Sequence, residues 1–194
     1  MKRLVVLVGL PGSGKTLFAN RHPEWAIVSK GMIRRGIFHC NYALEYEETV
    51  ERVFASTLVE VIDSDAKVVC IDDLNLTRKA RGELIDLARL AGREAIAYVM
   101  PSDPIDRLFA RTQAATEALS KADPSLRVTV LPRVRFDEMV RSCDPVDVRE
   151  GFARIERETT LPGFEPPISS SALRLRSNRR RRVERREPLP LFVP

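Results

Sequence analysis

The residues best equipped for chemistry stand together near the start of the chain, as Gly9-Leu10-Pro11-Gly12-Ser13-Gly14-Lys15-Thr16. The run fits G-x-x-x-x-G-K-[ST] without a mismatch. Glycines at this spacing let the backbone curl until successive N–H groups converge on phosphate oxygens, helped by the N-terminus of the helix that follows. On that reading Gly9, Pro11, Gly12, Ser13 and Gly14 form a cradle. Lys15 reaches the β- and γ-phosphates of ATP, and the Thr16 hydroxyl ligates Mg²⁺. The ion needs a second protein oxygen. Val68-Val69-Cys70-Ile71 running into Asp72 has the strand-then-acid pattern that supplies one. Neighbouring strand residues point to opposite sides, so Asp72 and Asp73 do not both face the metal, and Asp72 is assigned to it.

The elements that must hold these groups alternate in type. Leu4 to Val8 is a β-branched block apolar on both faces, as a strand inside a parallel sheet requires. It feeds the glycine-rich turn and a helix from about Gly14 to Arg21. Trp25 to Val28 reads as a second strand, and helical spacing from Ala43 to Ile62 follows. Lys67 to Ile71 is the next strand, then a helix from Arg78 to Ala91 stopped by Gly92, then a strand from Ala95 to Met100. Asp103 is expected to cap a helix carrying Ile105, Leu108, Phe109 and Thr112. Further helices are expected at Ala115–Ala122 and Pro132–Arg141, and a last strand at Gly151–Glu158. Alternation of this kind predicts an α/β fold, a parallel doubly wound sheet of about five strands flanked by helices.

The whole chain has 194 residues and a formal charge of +5, which invites a nucleic-acid reading. The charge is not evenly spread. Residues 172–194 hold eight Arg and two Glu, a net +6, which leaves 24 basic and 25 acidic groups, a net −1, over residues 1–171. The basicity belongs to a tail. Three scattered cysteines, Cys40, Cys70 and Cys143, read as reduced thiols of a cytoplasmic protein. With only His22 and His39, a His-rich metal site is excluded. The apolar start is cut by Pro11-Gly12 before it could serve as a leader, and no run long enough to span a membrane follows.

With these pieces in hand the chain resembles the polynucleotide 5′-hydroxyl kinase-like group of P-loop kinases. The resemblance rests on GLPGSGKT, VSKGMIRR, IDDLNLTRKAR, DPIDRLFAR and REGFARI in that order, from Met1 to about Glu158. It implies a P-loop NTPase/kinase fold and transfer of the γ-phosphate of ATP to a hydroxyl, on nucleic acid or a small molecule. It also implies that Arg111 in the lid embraces the nucleotide phosphates and that Arg34 contacts the acceptor. The family's general base, an Asp three residues before that Arg, is Gly31 here. Counting from Arg35 instead, the position is Met32. Leu74 stands where the family often has Thr, and Ala115 where it has a second lid Arg, for which Arg107 could substitute from the same helix face. A carboxylate from elsewhere could replace the base: Asp73, or Glu45, Glu47 and Glu48. Two readings therefore stay open, a kinase using Lys15, Arg34, Arg111 and Asp73, or an ATPase or nucleotide-binding module whose acceptor site has decayed.

Residues 1–160 are read as the P-loop kinase-like domain, and 161–194 as a Pro/Ser/Arg-rich disordered tail. Arg174, Arg176, Arg179 to Arg182, Arg185 and Arg186 suit contact with a nucleic-acid backbone, and equally a solvated basic tail.

Overall fold

β1 (Arg3–Val8) is apolar on both faces because both faces are covered. In the computed structural model, which describes residues 1–158, its alternate side chains feed two separate cores. Leu4, Val6 and Val8 pack toward α3 (Glu47–Asp63) and α4 (Arg78–Leu90), meeting Leu58, Ile62, Leu84 and Ala88. Val5 and Leu7 face α1 (Lys15–Asn20), meeting Phe18 and Ala19.

Around β1 lie β2 (Ala26–Val28), β3 (Val68–Ile71), β4 (Glu94–Val99) and β5 (Arg154–Arg157), in the order β2-β3-β1-β4-β5 with every pairing parallel. The chain leaves β1 toward one edge and leaves β3 toward the other. The crevice beyond the carboxyl ends of these two neighbours is therefore the topological switch point, where open α/β sheets place their ligands. Val6 stands opposite Ile71, so the loop after β1 and Asp72 after β3 emerge side by side.

The remaining helices are α2 (Lys30–Ile37), α5 (Ile105–Ala122) and α6 (Arg133–Arg141). The sequence pattern did not predict α2. Its eight residues include Gly31 and Gly36, each unfavourable in a helix by about 1 kcal/mol relative to Ala, and none of the eight is buried. Three corrections concern boundaries. Pro104, not Asp103, occupies the cap position of α5. The two helices expected on either side of position 115 are one continuous α5. The last strand starts at Arg154, because Val148–Glu150 forms a 3-10 turn and Gly151 follows with a φ of 103°.

Two buried arginines brace the frame. Arg93 donates from Nε to Ile62 O at 2.5 Å, from Nη1 to Ala66 O at 2.7 Å and from Nη2 to Ser64 O at 2.9 Å, closing the carbonyl end of α3. Arg81, wholly buried, binds Glu150 through two hydrogen bonds of 2.7 Å and also donates to Asn75 O and Leu76 O. The loop after β3 is thus pinned to the turn before β5. No helix among the described residues is long and apolar enough to cross a membrane. The predicted tail lies outside the described residues.

Candidate functional site

The glycine-rich run forms the turn between β1 and α1. Gly12 has a φ of 78° and Gly14 one of 85°, the left-handed region that side chains rarely adopt. A Cβ at Gly12 would also lie 2.3 Å from the Leu108 carbonyl oxygen of α5, so only glycine lets the lid helix sit this close.

Lys15 is buried at the start of α1. Its ammonium donates to Gly9 O at 2.7 Å and Leu10 O at 2.9 Å. Burial pulls its pKa down to about 8, against the attraction of Asp72 and Asp73. Thr16, one residue on, donates its hydroxyl to Asp72 Oδ2 at 2.8 Å, across the switch-point crevice. Burial pushes the Asp72 carboxyl up, opposed by the Thr16 hydrogen bond and the Lys15 charge. A hydroxyl and a carboxylate meeting beside an ammonium are the hard-oxygen donors that Mg²⁺ and a nucleotide phosphate require, so the residues present fit both. Among the described residues no three His, Cys, Asp or Glu side chains gather into a metal cluster, so an ion here would draw its other ligands from phosphate and water.

Asp73 points away from this pair. Its Oδ1 accepts from Leu74 N at 2.8 Å, and Lys30 Nζ lies 3.3 Å from its Oδ2. Lys30 also donates to Glu51 at 2.6 Å, so this lysine ties β3, α2 and α3 together. The next residues brace the phosphate loop. Gly9 N donates to Leu74 O at 3.2 Å, and Asn75, at a φ of 49°, donates Nδ2 to Leu7 O at 2.7 Å. The Asn75 amide is therefore committed to the backbone of β1.

On α2, Arg34 grips Glu47 with Nε at 2.8 Å and Nη2 at 2.5 Å, and its guanidinium lies 5.8 Å from the Tyr42 ring. Burial lowers the Arg34 pKa, but the Glu47 hydrogen bonds and charge outweigh that and hold it up. Arg35 has the opposite setting. Neither an ion pair nor a side-chain hydrogen bond engages it among the described residues. Of the four carboxylates expected to be able to serve as a base, Glu45 pairs with Arg127 on the surface, Glu47 is taken by Arg34, and Glu48 is exposed. Asp73 alone of the four stands beside Asp72 at the end of β3.

The lid contributes less than its sequence suggests. Arg111 Nη1 lies 2.8 Å from Asp103 Oδ2, an ion pair in which no N–H points squarely at the oxygen. Arg107 is 3.8 Å from the same carboxylate and largely exposed. The far end of the lid is zipped to the segment after α2: Arg127 N donates to His39 O at 3.0 Å, and Thr129 N to Asn41 Oδ1 at 2.7 Å. Sequence reasoning missed that connection, because nothing local marks two loops nearly ninety residues apart as partners.

Residues 4–128 match the sequence profile of a family described as an AAA domain. The chain belongs to that family. Comparison with solved structures gives Kti12 of Chaetomium thermophilum in complex with ADP-AlF3, 16% identical over 80% of this chain and 88% of that one, with a TM-score of 0.56. A chain of the Pnkp1/Rnl/Hen1 RNA repair complex is 19% identical over 73% of this chain and 43% of that one, at 0.55. A gluconokinase from Sinorhizobium meliloti is 15% identical over 94% and 98%, at 0.50. At such identities the likeness is one of fold, a P-loop kinase-like fold, which implies nucleotide binding in general. No curated protein matches the chain.

Proposed function

We propose that the protein is an ATP- and Mg²⁺-dependent phosphotransferase that moves the γ-phosphoryl group to a hydroxyl, on a nucleic-acid 5′ end or a small molecule. The observation that carries this reading is the 2.8 Å contact between Thr16 Oγ1 and Asp72 Oδ2 beside the buried Lys15 ammonium. Mg²⁺ held by Thr16 and Asp72 would supply charge to the β- and γ-phosphate oxygens. Lys15, whose present partners are neutral carbonyls, turns its donors to phosphate oxygens, and Gly9, Pro11, Gly12, Ser13 and Gly14 wrap the chain of phosphates. Arg111 leaves Asp103 for the same phosphates as the lid settles.

On the acceptor side, Arg34 positions α2 through Glu47, and the proton is assigned to Asp73, which follows Asp72 at the end of β3 and is ion-paired with Lys30. The acceptor oxygen bonds to the γ-phosphorus, the bond from that phosphorus to the bridging oxygen breaks, ADP leaves, and the hydroxyl proton passes to Asp73. Phosphoryl transfer depends mainly on positioning and electrostatics, so a displaced base slows it without forbidding it. The lines that support a nucleic-acid acceptor are the resemblance stated above and the fold shared with a chain of an RNA repair complex. The arginine-rich tail suits contact with the same acceptor, and the free cysteines suit a cytoplasmic setting. We take residues 1–160 as the folded unit that carries the activity.

One observation favours a second reading. Gly31 leaves no carboxylate where the resemblance requires one, which fits an ATPase or nucleotide-binding module without transfer. The experiment that decides is incubation with γ-labelled ATP, Mg²⁺ and 5′-hydroxyl oligonucleotides beside an acceptor-free control. Label on the oligonucleotide supports the kinase. Label released only as free phosphate supports the second reading, and no turnover or ATP binding overturns both.

A further inference from the structure

The helix that rests on the phosphate loop is fastened, at its other end, to the segment that follows α2. A Cβ at Gly12 would lie 2.3 Å from Leu108 O and 2.9 Å from Thr112 Oγ1, so the first half of α5 bears directly on the cradle. α5 then runs unbroken to Ala122, 18 residues in all, or about 27 Å at 1.5 Å per residue. Beyond it the chain pairs with residues 39–45. Arg127 N donates to His39 O at 3.0 Å and Asn41 N donates to Arg127 O at 3.2 Å, a parallel bridge around Cys40. The Asn41 side chain continues the pairing with both of its groups: Nδ2 donates to Thr129 O at 2.8 Å, and Oδ1 accepts from Thr129 N at 2.7 Å. Thr129 Oγ1 donates to Tyr42 O at 2.9 Å, His39 Nε2 lies 2.9 Å from Ser125 Oγ, and Arg127 pairs with Glu45.

This clasp is more than a brush between surface loops. His39 holds a φ of 52°, a left-handed conformation that a residue other than glycine keeps only where its surroundings fix it. Cys40, Ala43 and Leu126 are buried within the two segments, yet they belong to neither core of the sheet. α2 is the opposite case. It buries no residue, and its ties to α3 and β3 are ion pairs. The clasp begins at His39, two residues after α2 ends, so α2 has little packing of its own to resist a pull on that segment.

We propose that Asn41 is a positioning residue: by clasping the far end of α5, it makes the placement of α2 depend on what occupies the phosphate loop. The inference rests on the functional reading above and deepens it, because it names what sets the proposed acceptor side. A nucleotide filling the cradle bears on α5 at Leu108 and Thr112. A continuous helix carries that displacement to its other end, and the clasp passes it to α2. The two sites are then linked by one element whose position both of them bias.

The test is hydrogen exchange read by mass spectrometry on the full chain, with and without a non-hydrolysable ATP analogue and Mg²⁺, in the unaltered protein and in Asn41→Ala. In the unaltered chain the analogue should slow exchange about tenfold or more, both in residues 9–16 and across α2. In Asn41→Ala the affinity for the analogue and the slowing in residues 9–16 should hold within about twofold, while the slowing across α2 is lost. Thr129→Val, which removes only the hydroxyl bond to Tyr42 O, supplies the same comparison should Asn41→Ala fail to fold. Slowing across α2 that persists in the folded variant overturns the inference. So does its loss together with that in residues 9–16, and so does an α2 that is not slowed in an unaltered chain that binds the analogue. The functional reading stands in each of those cases. Failure of the unaltered chain to bind the analogue overturns both.

Discussion

The two sides of the cleft are held by different physics. The nucleotide side is made of backbone turns and buried side chains hung directly on the central strands. Lys15 and Asp72 are both buried, Thr16 bridges from α1 to the end of β3, and the loop after β3 is pinned by the Arg81–Glu150 pair. The proposed acceptor side is made of charged side chains on a helix with no buried residue, held by Lys30 to Asp73 and Glu51 and by Arg34 to Glu47. One side is fixed by burial, where a lost partner is expensive. The other is fixed by part-exposed ion pairs, each worth about 1 kcal/mol or less, and can be rebuilt by a few substitutions.

The sharpest way to break the comparison is at Lys15. Lys15→Ala should abolish turnover and weaken ATP binding below detection by calorimetry, since it removes the buried ammonium that sits against the carbonyls of the phosphate loop. Unchanged affinity would dissolve the nucleotide side altogether.

The next effect in size falls on the frame. Glu150→Gln leaves the wholly buried Arg81 without its charge partner, which should cost about 3–5 kcal/mol and lower the melting temperature by roughly 10 °C. The same pair sets an acid limit. Burial pushes the Glu150 carboxyl up, but the Arg81 hydrogen bonds, the Asp147 N–H and nearby positive charge outweigh it, so it ends below its ordinary 4.5. A carboxylate with a depressed folded pKa contributes stability above its unfolded value and loses it as pH falls through the folded one. Unfolding midpoints measured from pH 6 downward should fall below about pH 4.5, and this part of the slope should vanish in Glu150→Gln.

On the acceptor side the expected change is a gain. Gly31→Asp should raise transfer to a 5′-hydroxyl oligonucleotide by up to ~10²-fold, the lower end of what a general base contributes, with ATP affinity little changed. Position 31 lies in a helix with ordinary contact distances around a new Cβ, so the substitution introduces no backbone strain. Arg35 would meet the new carboxylate and hold its proton affinity down, which limits the gain. No gain in a folded, ATP-binding variant would mean that the acceptor is something other than a 5′-hydroxyl.

The smallest effect should come from removing residues 159–194. Both apolar cores draw on sheet and helices within the described residues, so melting temperature should shift by no more than about 2 °C and ATP affinity should hold. A large fall would show that the folded unit extends beyond Glu158.

The local sequence was enough for the nucleotide side and the parallel sheet. G-x-x-x-x-G-K-T is contiguous because one turn must present all its N–H groups at once, and Val68 to Asp72 announces its own geometry through a buried strand that ends in an acid. Tertiary structure alone decided the rest. Helix α2, with two glycines and no buried face, exists because ion pairs from α3 and β3 hold it, and those partners lie outside any local window. Asn75 and Arg81, both within the IDDLNLTRKAR run, serve the frame, since their donors are taken by the Leu7 carbonyl of β1 and by Glu150. Which of two adjacent arginines stays free was decided by Glu47, thirteen residues on from Arg34, across the joint between two helices. Hydrophobic periodicity is written along the chain because burial repeats with each turn or pleat. Charge pairing is a choice among exposed partners, and only the folded arrangement makes it.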